Sequence, residues 1–132
     1  MINIKYKLKE SPIHGIGMFA DQDIDEGQVV ATSSPKLDVN ISQGEFDSLE
    51  SREQAEIEYW GFWDKVDNVW HVDFDNTKFI NHSDKPSVTQ EIEHKDMYLI
   101  TTRPVKKGEE LTQNYLEFES VESLKKRGIE LD

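Results

Sequence analysis

Apolar side chains fall at every second position in short segments, and a turn signal closes each one at the spacing of a mainly β domain. Ile2, Ile4, Tyr6 and Leu8 open the pattern, and Ser11-Pro12 ends it. His14 to Gly17 then reads as a loop, Met18-Phe19-Ala20 as a short apolar stretch, and Asp25-Glu26-Gly27 as an acidic turn. Val29, Val30 and Ala31 form a second buried strand. Val66 and Val69 flank Asp67-Asn68, a two-residue hairpin signal. Beyond it Trp70, Val72 and Phe74 share one face of a strand while His71 and Asp73 share the other. Residues 97–102 read as a further strand and 104–108 as a turn.

Two segments break the alternation. Residues 42–60 are dense in Glu and free of proline, and their apolar positions (Phe46, Leu49, Ala55, Tyr59) make a ragged stripe, which predicts one surface-mounted helix ended by Gly61. Near the C-terminus Ser120 caps a short helix with Val121 and Leu124 inward, and Gly128 stops it. The expected fold class is therefore mainly β (α+β), with short strands in small sheets and two peripheral helices.

At 132 residues the chain fits one domain, able to bury roughly two-thirds of its unfolded surface. Cysteine is missing, so disulfides and thiolate-held zinc are excluded. No stretch reaches the roughly 20 apolar residues of a membrane helix, and MINIKYKLKE alternates where a secretory leader would run apolar. A soluble, intracellular protein is expected. Asp and Glu number 27 against 15 Lys and Arg, a formal net charge of −12. Such a surface repels nucleic-acid phosphates and attracts basic polypeptides, although acidity by itself also serves solubility.

Three segments carry candidate chemistry. In Gly15-Ile16-Gly17 two glycines let backbone approach a ligand without Cβ atoms between, or they make an ordinary turn; no third glycine completes a dinucleotide fingerprint. In Lys78-Phe79-Ile80-Asn81-His82-Ser83-Asp84-Lys85-Pro86 an apolar pair anchors a polar trio, either a ligand-binding Asn-His pair or a self-satisfied turn. In Gly108-Glu109-Glu110-Leu111-Thr112-Gln113-Asn114-Tyr115, Leu111 would be buried in a strand that Tyr115 closes with a phenol.

In this order the three segments resemble the SET domain family, with a likeness running from Ser11 to Tyr115 that takes in Gly17-Met18-Phe19-Ala20, Asp25-Glu26-Gly27 and the run from Thr102 to Gly108. It is most similar to the short SET proteins of viruses and bacteria, which lack pre-SET and post-SET zinc modules. The resemblance implies a single SET domain over 1–132: a core of 1–115 with a helical insert near 42–60, and a tail helix in 116–132. It implies a pseudoknot in which the C-terminal segment threads the Asn81-His82-Ser83 loop. It implies S-adenosylmethionine as cofactor, held by Gly15, Ile16, Gly17, Asn81 and His82, and Tyr115 as the catalytic tyrosine of a protein-lysine N-methyltransferase. Gln113 and Phe118 would border the lysine channel, with the tail helix pressing Phe118 against cofactor or channel. The partner implied is a basic, lysine-containing protein or peptide; a homodimer is compatible with the sequence, and neither nucleic acid, membrane nor metal is expected.

Three positions depart from the family pattern. Ser87 stands where Asn is usual, Lys78 where Arg is common, and Gln113 where an aromatic often sits two residues before the tyrosine. Three other readings compete: a catalytically silent SET-like module that binds a basic peptide, a structural β-domain of phage or virus origin in which the motifs are accidental, and a metal-dependent hydrolase built on His71, Asp73, Asp75 and His82. Under the methyltransferase reading His14, His71 and His94 are surface or turn residues.

Overall fold

The computed structural model describes residues 1–64, 67–94 and 96–131. Along the chain come β1 (Tyr6–Glu10), β2 (Ile16–Ala20), β3 (Val29–Thr32), β4 (Val39–Ser42), α1 (Gln43–Asp47), α2 (Ser51–Trp60), β5 (Phe62–Asp64), β6 (Val69–Val72), β7 (Asn81–His82), β8 (Val88–Gln90), β9 (Tyr98–Thr101), β10 (Thr112–Gln113) and α3 (Val121–Lys126), with single 3-10 turns at Asn76–Phe79 and Tyr115–Glu117. The strands form three small sheets: β1-β2, β3-β9-β8-β10-β7 and β4-β6-β5. The mainly β expectation holds.

Met18, Ile24, Val30, Ile80, Val88, Leu99, Val105 and Leu111 are almost wholly buried in one cluster shared by the first two sheets. Each such side chain contributes on the order of 1.5–3 kcal/mol of burial, so the segments carrying the candidate residues are pinned by their apolar neighbours. Ile80 fixes Asn81-His82, Met18 fixes Gly17, and Leu111 fixes Thr112-Gln113.

The middle sheet contains the threading that the family resemblance implied. β10 pairs in parallel with β7 (Thr112 opposite Asn81, Gln113 opposite His82) and also with β8 (Gln113 opposite Val88). Because residues 83–87 join β7 to β8, the C-terminal segment passes between two strands closed by their own loop. Threaded loops are rare and need local fastening. Here Ser87, fully buried, supplies it. Its N–H donates to the Thr112 carbonyl at 3.0 Å, and its hydroxyl accepts from the Thr112 N–H at 3.0 Å. The departure at Ser87 thus has a physical account: a small hydroxyl fits where the thread passes closest.

Several local expectations are corrected. The helix expected over 42–60 is two helices. Ser42 and Glu45 form a reciprocal capping box on α1, and Glu50 turns extended before Glu53 accepts its N–H to start α2. No α2 residue is buried, so it is surface-mounted as expected, and Gly61 caps it. With α3 the helices number three among the described residues. Val121 points outward, whereas Leu124 is fully buried. Ile16 and Gly17 belong to β2 and not to a loop. Ile2 and Ile4 precede β1; Ile2 bridges to Ala31 and Ile4 joins the core. β4 had no clear signal in the sequence. β6 stops at Val72, leaving Phe74 62% exposed. In the β5–β6 hairpin the pairing runs to Asp64 opposite Val69, and Asn68 takes a left-handed φ of 55°. Val66, the other expected flank, lies outside the described residues. Leu111 is buried but sits just ahead of β10, and Tyr115 opens a 3-10 turn where it was expected to close a strand.

Candidate active site

Threading β10 beside β7 delivers Tyr115 to the Asn-His pair. Asn114 caps the turn, its side chain accepting from the Leu116 N–H at 3.0 Å. The Tyr115 N–H donates to His82 Nδ1 at 3.1 Å, and its hydroxyl donates to the Ile80 carbonyl. The tyrosine is therefore held at both ends by residues 80–82. Because His82 Nδ1 accepts, a neutral imidazole there carries its proton on Nε2. Burial pushes the Tyr115 phenol up to about 12; the Arg127 guanidinium opposes the rise, and the Glu119 and Glu110 carboxylates add to it.

The loop before β2 is tied to the same place. The Asn81 side-chain amide donates to the His14 carbonyl at 2.9 Å, to Glu110 Oε2 at 2.9 Å and, more weakly, to the Ile16 carbonyl at 3.4 Å. Ser11 Oγ lies 2.8 Å from both Glu110 oxygens. Gly15 has a φ of 45°, a conformation that favours glycine, with open space where a Cβ would stand. Gly17 has a different reason to be glycine: a Cβ there would lie 2.4 Å from Glu110 Oε2. What approaches Gly17 in this structure is Glu110, not open space. Glu110 belongs to the third motif, but the sequence alone assigns it no role. Its sequence signal is the acidic pair after Gly108.

A cleft of about 1140 Å³ brings Gly15, Ile16, Asn81, His82, Gln113, Tyr115 and Phe118 to one surface. Gly17 backs that surface and does not line it. The volume lies somewhat above the roughly 300–1,000 Å³ usual for small-molecule sites, and the glycine loop, the Asn-His pair and the aromatic rings line it together. Aromatic contacts cross the cleft: His82 to Tyr115 at 5.4 Å, Tyr115 to Phe118 at 5.3 Å, Phe118 to Phe62 at 4.8 Å, and Phe62 to His71 at 5.2 Å between centroids. A smaller cavity of about 350 Å³ lies behind the Phe62–Phe118 contact, which lines both. Gln113 is buried, its amide donating to Glu117 Oε2 at 2.9 Å. Arg127 of the tail also lines the cleft, paired with Glu119. Phe62, Glu119 and Arg127 were not legible as site residues, since only folding brings their segments together.

Each of the four residues of the hydrolase reading already has a protein partner; Asp73 accepts from the Thr77 hydroxyl at 3.3 Å. Asp75 accepts from the Thr77 hydroxyl and N–H and pairs with the Met1 amino group at 3.0 Å. His82 is bound to Tyr115. His71 is a half-buried strand residue, not a surface or turn one, with Nε2 2.9 Å from Asp64 and Nδ1 2.6 Å from Asn40. Ligand atoms of Asp64, Asp67 and His71 do lie within 4.8 Å of one another, but that group leaves out Asp73, Asp75 and His82. No helix among the described residues is long and apolar enough to cross a membrane.

Comparison with known proteins bears on the family and the fold. No curated protein sequence matches the chain significantly. Among solved structures, a Plasmodium falciparum candidate histone methyltransferase superposes with a TM-score of 0.61 at 18% identity, covering 86% of this chain and 95% of that one. A humanized mutant of the Chaetomium thermophilum Polycomb Repressive Complex 2, bound to an inhibitor, gives 0.67 at 23% identity over 96% of this chain. A second inhibitor complex gives 0.66 at 22% over 92%. This chain spans only 17% and 16% of those two Polycomb chains. At these identities the likeness speaks for the fold alone. The SET domain model matches residues 15–116, so the chain belongs to the SET domain family.

Proposed function

We propose that the protein is an S-adenosylmethionine-dependent protein-lysine N-methyltransferase acting on a basic protein. The observation that carries this reading is the placement of Tyr115, clamped by Ile80 and His82 on either side of Asn81, inside the cleft reached by the Gly15 loop. When bound, S-adenosylmethionine supplies a methyl group on a positive sulfonium. Gly15, Ile16, Asn81 and His82 would hold it, with Asn81 bracing the carbonyls of the loop.

The chain's own contribution is alignment. A lysine amine must be neutral to attack, which for a free side chain at pH 7 costs roughly 4.6 kcal/mol. Tyr115 is not the base: at a value of about 12 its phenolate fraction at pH 7 is on the order of 10⁻⁵. Its proton is committed to the Ile80 carbonyl, leaving oxygen lone pairs to accept an amine N–H and aim the nitrogen. The Phe118 and Phe62 rings would wall the amine from water, and Gln113, held by Glu117, would border the channel. The net charge of −12 draws basic segments in.

Histones, named for one of the structural neighbours, are the first substrates to try beside whole-cell lysate. Isotope-labelled methyl should pass from S-adenosylmethionine to lysine Nζ, located by mass spectrometry of the products. If calorimetry shows no cofactor binding and no lysine is labelled in either substrate, the reading fails.

A further inference from the structure

The family match ends at residue 116, and the chain beyond it carries a charged residue that faces the proposed catalytic tyrosine. Arg127 follows α3, held by Leu124, which is fully buried. Its guanidinium lies 5.8 Å from the Tyr115 ring centroid and pairs with Glu119, whose side chain is only 3% exposed. Glu119 is oriented in turn, its N–H donating to the Tyr115 carbonyl at 2.8 Å and its carboxylate accepting from Ser123 Oγ at 3.2 Å. A weaker bond runs from Arg127 to the Tyr59 carbonyl at 3.4 Å, reaching the end of α2 across the cleft. Tyr115 and its neighbours thus form a closed circuit: Tyr115 backbone to Glu119, Glu119 to Arg127, and Arg127 back to the Tyr115 ring.

We infer that Arg127 is a positioning residue for methyl transfer: the Glu119-braced guanidinium fixes the plane of the Tyr115 ring and with it the orientation of the hydroxyl oxygen's free lone pairs. This rests on the methyltransferase reading for its kinetic consequence, not for its structural one. Ile80 anchors the hydroxyl and His82 the backbone of Tyr115, which leaves the turning of the ring about its own axis to be limited by the groups against it, His82, Phe118 and Arg127. A planar cation held by a buried carboxylate is suited to that task, and its pairing keeps the net charge beside the incoming amine small. A surface ion pair would contribute little. This one is buried on the Glu119 side, so breaking it leaves an uncompensated carboxylate next to the site.

The test combines kinetics with an activity-free readout. Arg127→Met should lower kcat about tenfold through ring misplacement, with the Kd for S-adenosylmethionine unchanged. In a Tyr115→Phe background the same substitution should have no further effect on kcat, because the hydroxyl it positions is gone. Additive losses in the double variant would overturn the inference, as would full kcat in Arg127→Met. Should Arg127→Met melt below the assay temperature, Arg127→Lys keeps a charge for Glu119 but lacks the planar group. A reduced kcat in that variant supports the inference, and wild-type turnover overturns it. Aromatic NMR of Tyr115, labelled in the ring, separates this claim from the one it rests on. If the wild type transfers no methyl group but Arg127→Met still speeds Tyr115 ring flipping, the methyltransferase reading fails and the positioning stands. Unchanged ring dynamics in an active enzyme overturn the positioning alone.

Discussion

Under the proposed function, Tyr115 and Gly17 divide between chemistry and support. Tyr115→Phe removes a hydroxyl bonded to Ile80 but leaves the ring contacts with His82 and Phe118 in place. Turnover should fall by about 100-fold or more, while cofactor affinity measured by calorimetry stays within about twofold. Gly17→Ala acts on a different bond set. A Cβ 2.4 Å from Glu110 Oε2 displaces that carboxylate from Ser11 and Asn81, so the loop that reaches the cleft loosens. Cofactor affinity should drop about tenfold, the scale of losing about one hydrogen bond to a charged group, with the melting temperature lowered by a few degrees. Unchanged affinity in this variant would leave Glu110 without a bracing role. The motifs made Gly15, Asn81, His82 and Tyr115 legible because each sits in a compact run with a distinctive order. Glu110 was overlooked since its partners, Ser11 and Asn81, are 99 and 29 residues away. Asp73 shows a third case. Burial raises its pKa, and the nearby Asp38 and Asp75 charges raise it further. The folded state then binds more protons than the unfolded one between the ordinary carboxylate value and the raised value, so stability falls as pH rises through that window. Asp73→Asn, which can still accept from the Thr77 hydroxyl, should raise the melting temperature at pH 7, with the gain shrinking as pH drops toward about 4.

Elements were legible where periodicity or capping was local. β3, β9 and the stop at Gly61 follow from alternation and from glycine. The break between α1 and α2 is hidden in the sequence because its capping box is Glu50 with Glu53, without the usual Ser or Thr, inside a Glu-rich run whose composition stays helical. β4 is short and mostly exposed, so its alternation is weak, and it exists because β6 pairs with it from Val39 opposite Val72 to Ser42 opposite Val69. The tail is the element with the most at stake. Leu124 is fully buried, so deleting residues 117–132 would open the core as well as the cleft, and the loss could not be assigned to either. Phe118→Ala is the cleaner probe. It removes a ring lying between Tyr115 and Phe62 while leaving Leu124, Glu119 and Arg127 in place. The expected loss is about 1–3 kcal/mol in kcat/KM, the scale of burying one aromatic ring, with thermal stability reduced by less. A variant that keeps its kcat/KM but melts earlier would make Phe118 a packing residue only.

The whole molecule adds what no element contains: a threaded centre and a strongly negative exterior. The thread could be anticipated from the family resemblance but not from the residues alone, since nothing in the alternation of Thr112-Gln113 says that two parallel neighbours await it. The charge was legible at once, 27 acidic residues against 15 basic. Its consequence depends on where a substrate approaches. Asp38, Asp64, Asp67, Asp73, Asp96 and Glu117 all line the same cleft as Tyr115. Carboxylates clustered at the mouth of a cleft raise the local concentration of a cationic partner, and the effect fades as the Debye length shrinks from about 30 Å at 0.01 M salt to about 8 Å at 0.15 M. A lysine-rich peptide should therefore lose about tenfold or more in kcat/KM over that range, while kcat, set after binding, changes by less than about twofold. A peptide with the same target lysine but no other basic residue should show a much flatter dependence, because only the long-range attraction is screened. Equal slopes for the two peptides would mean that salt acts on the enzyme itself and that the acidic exterior serves solubility alone.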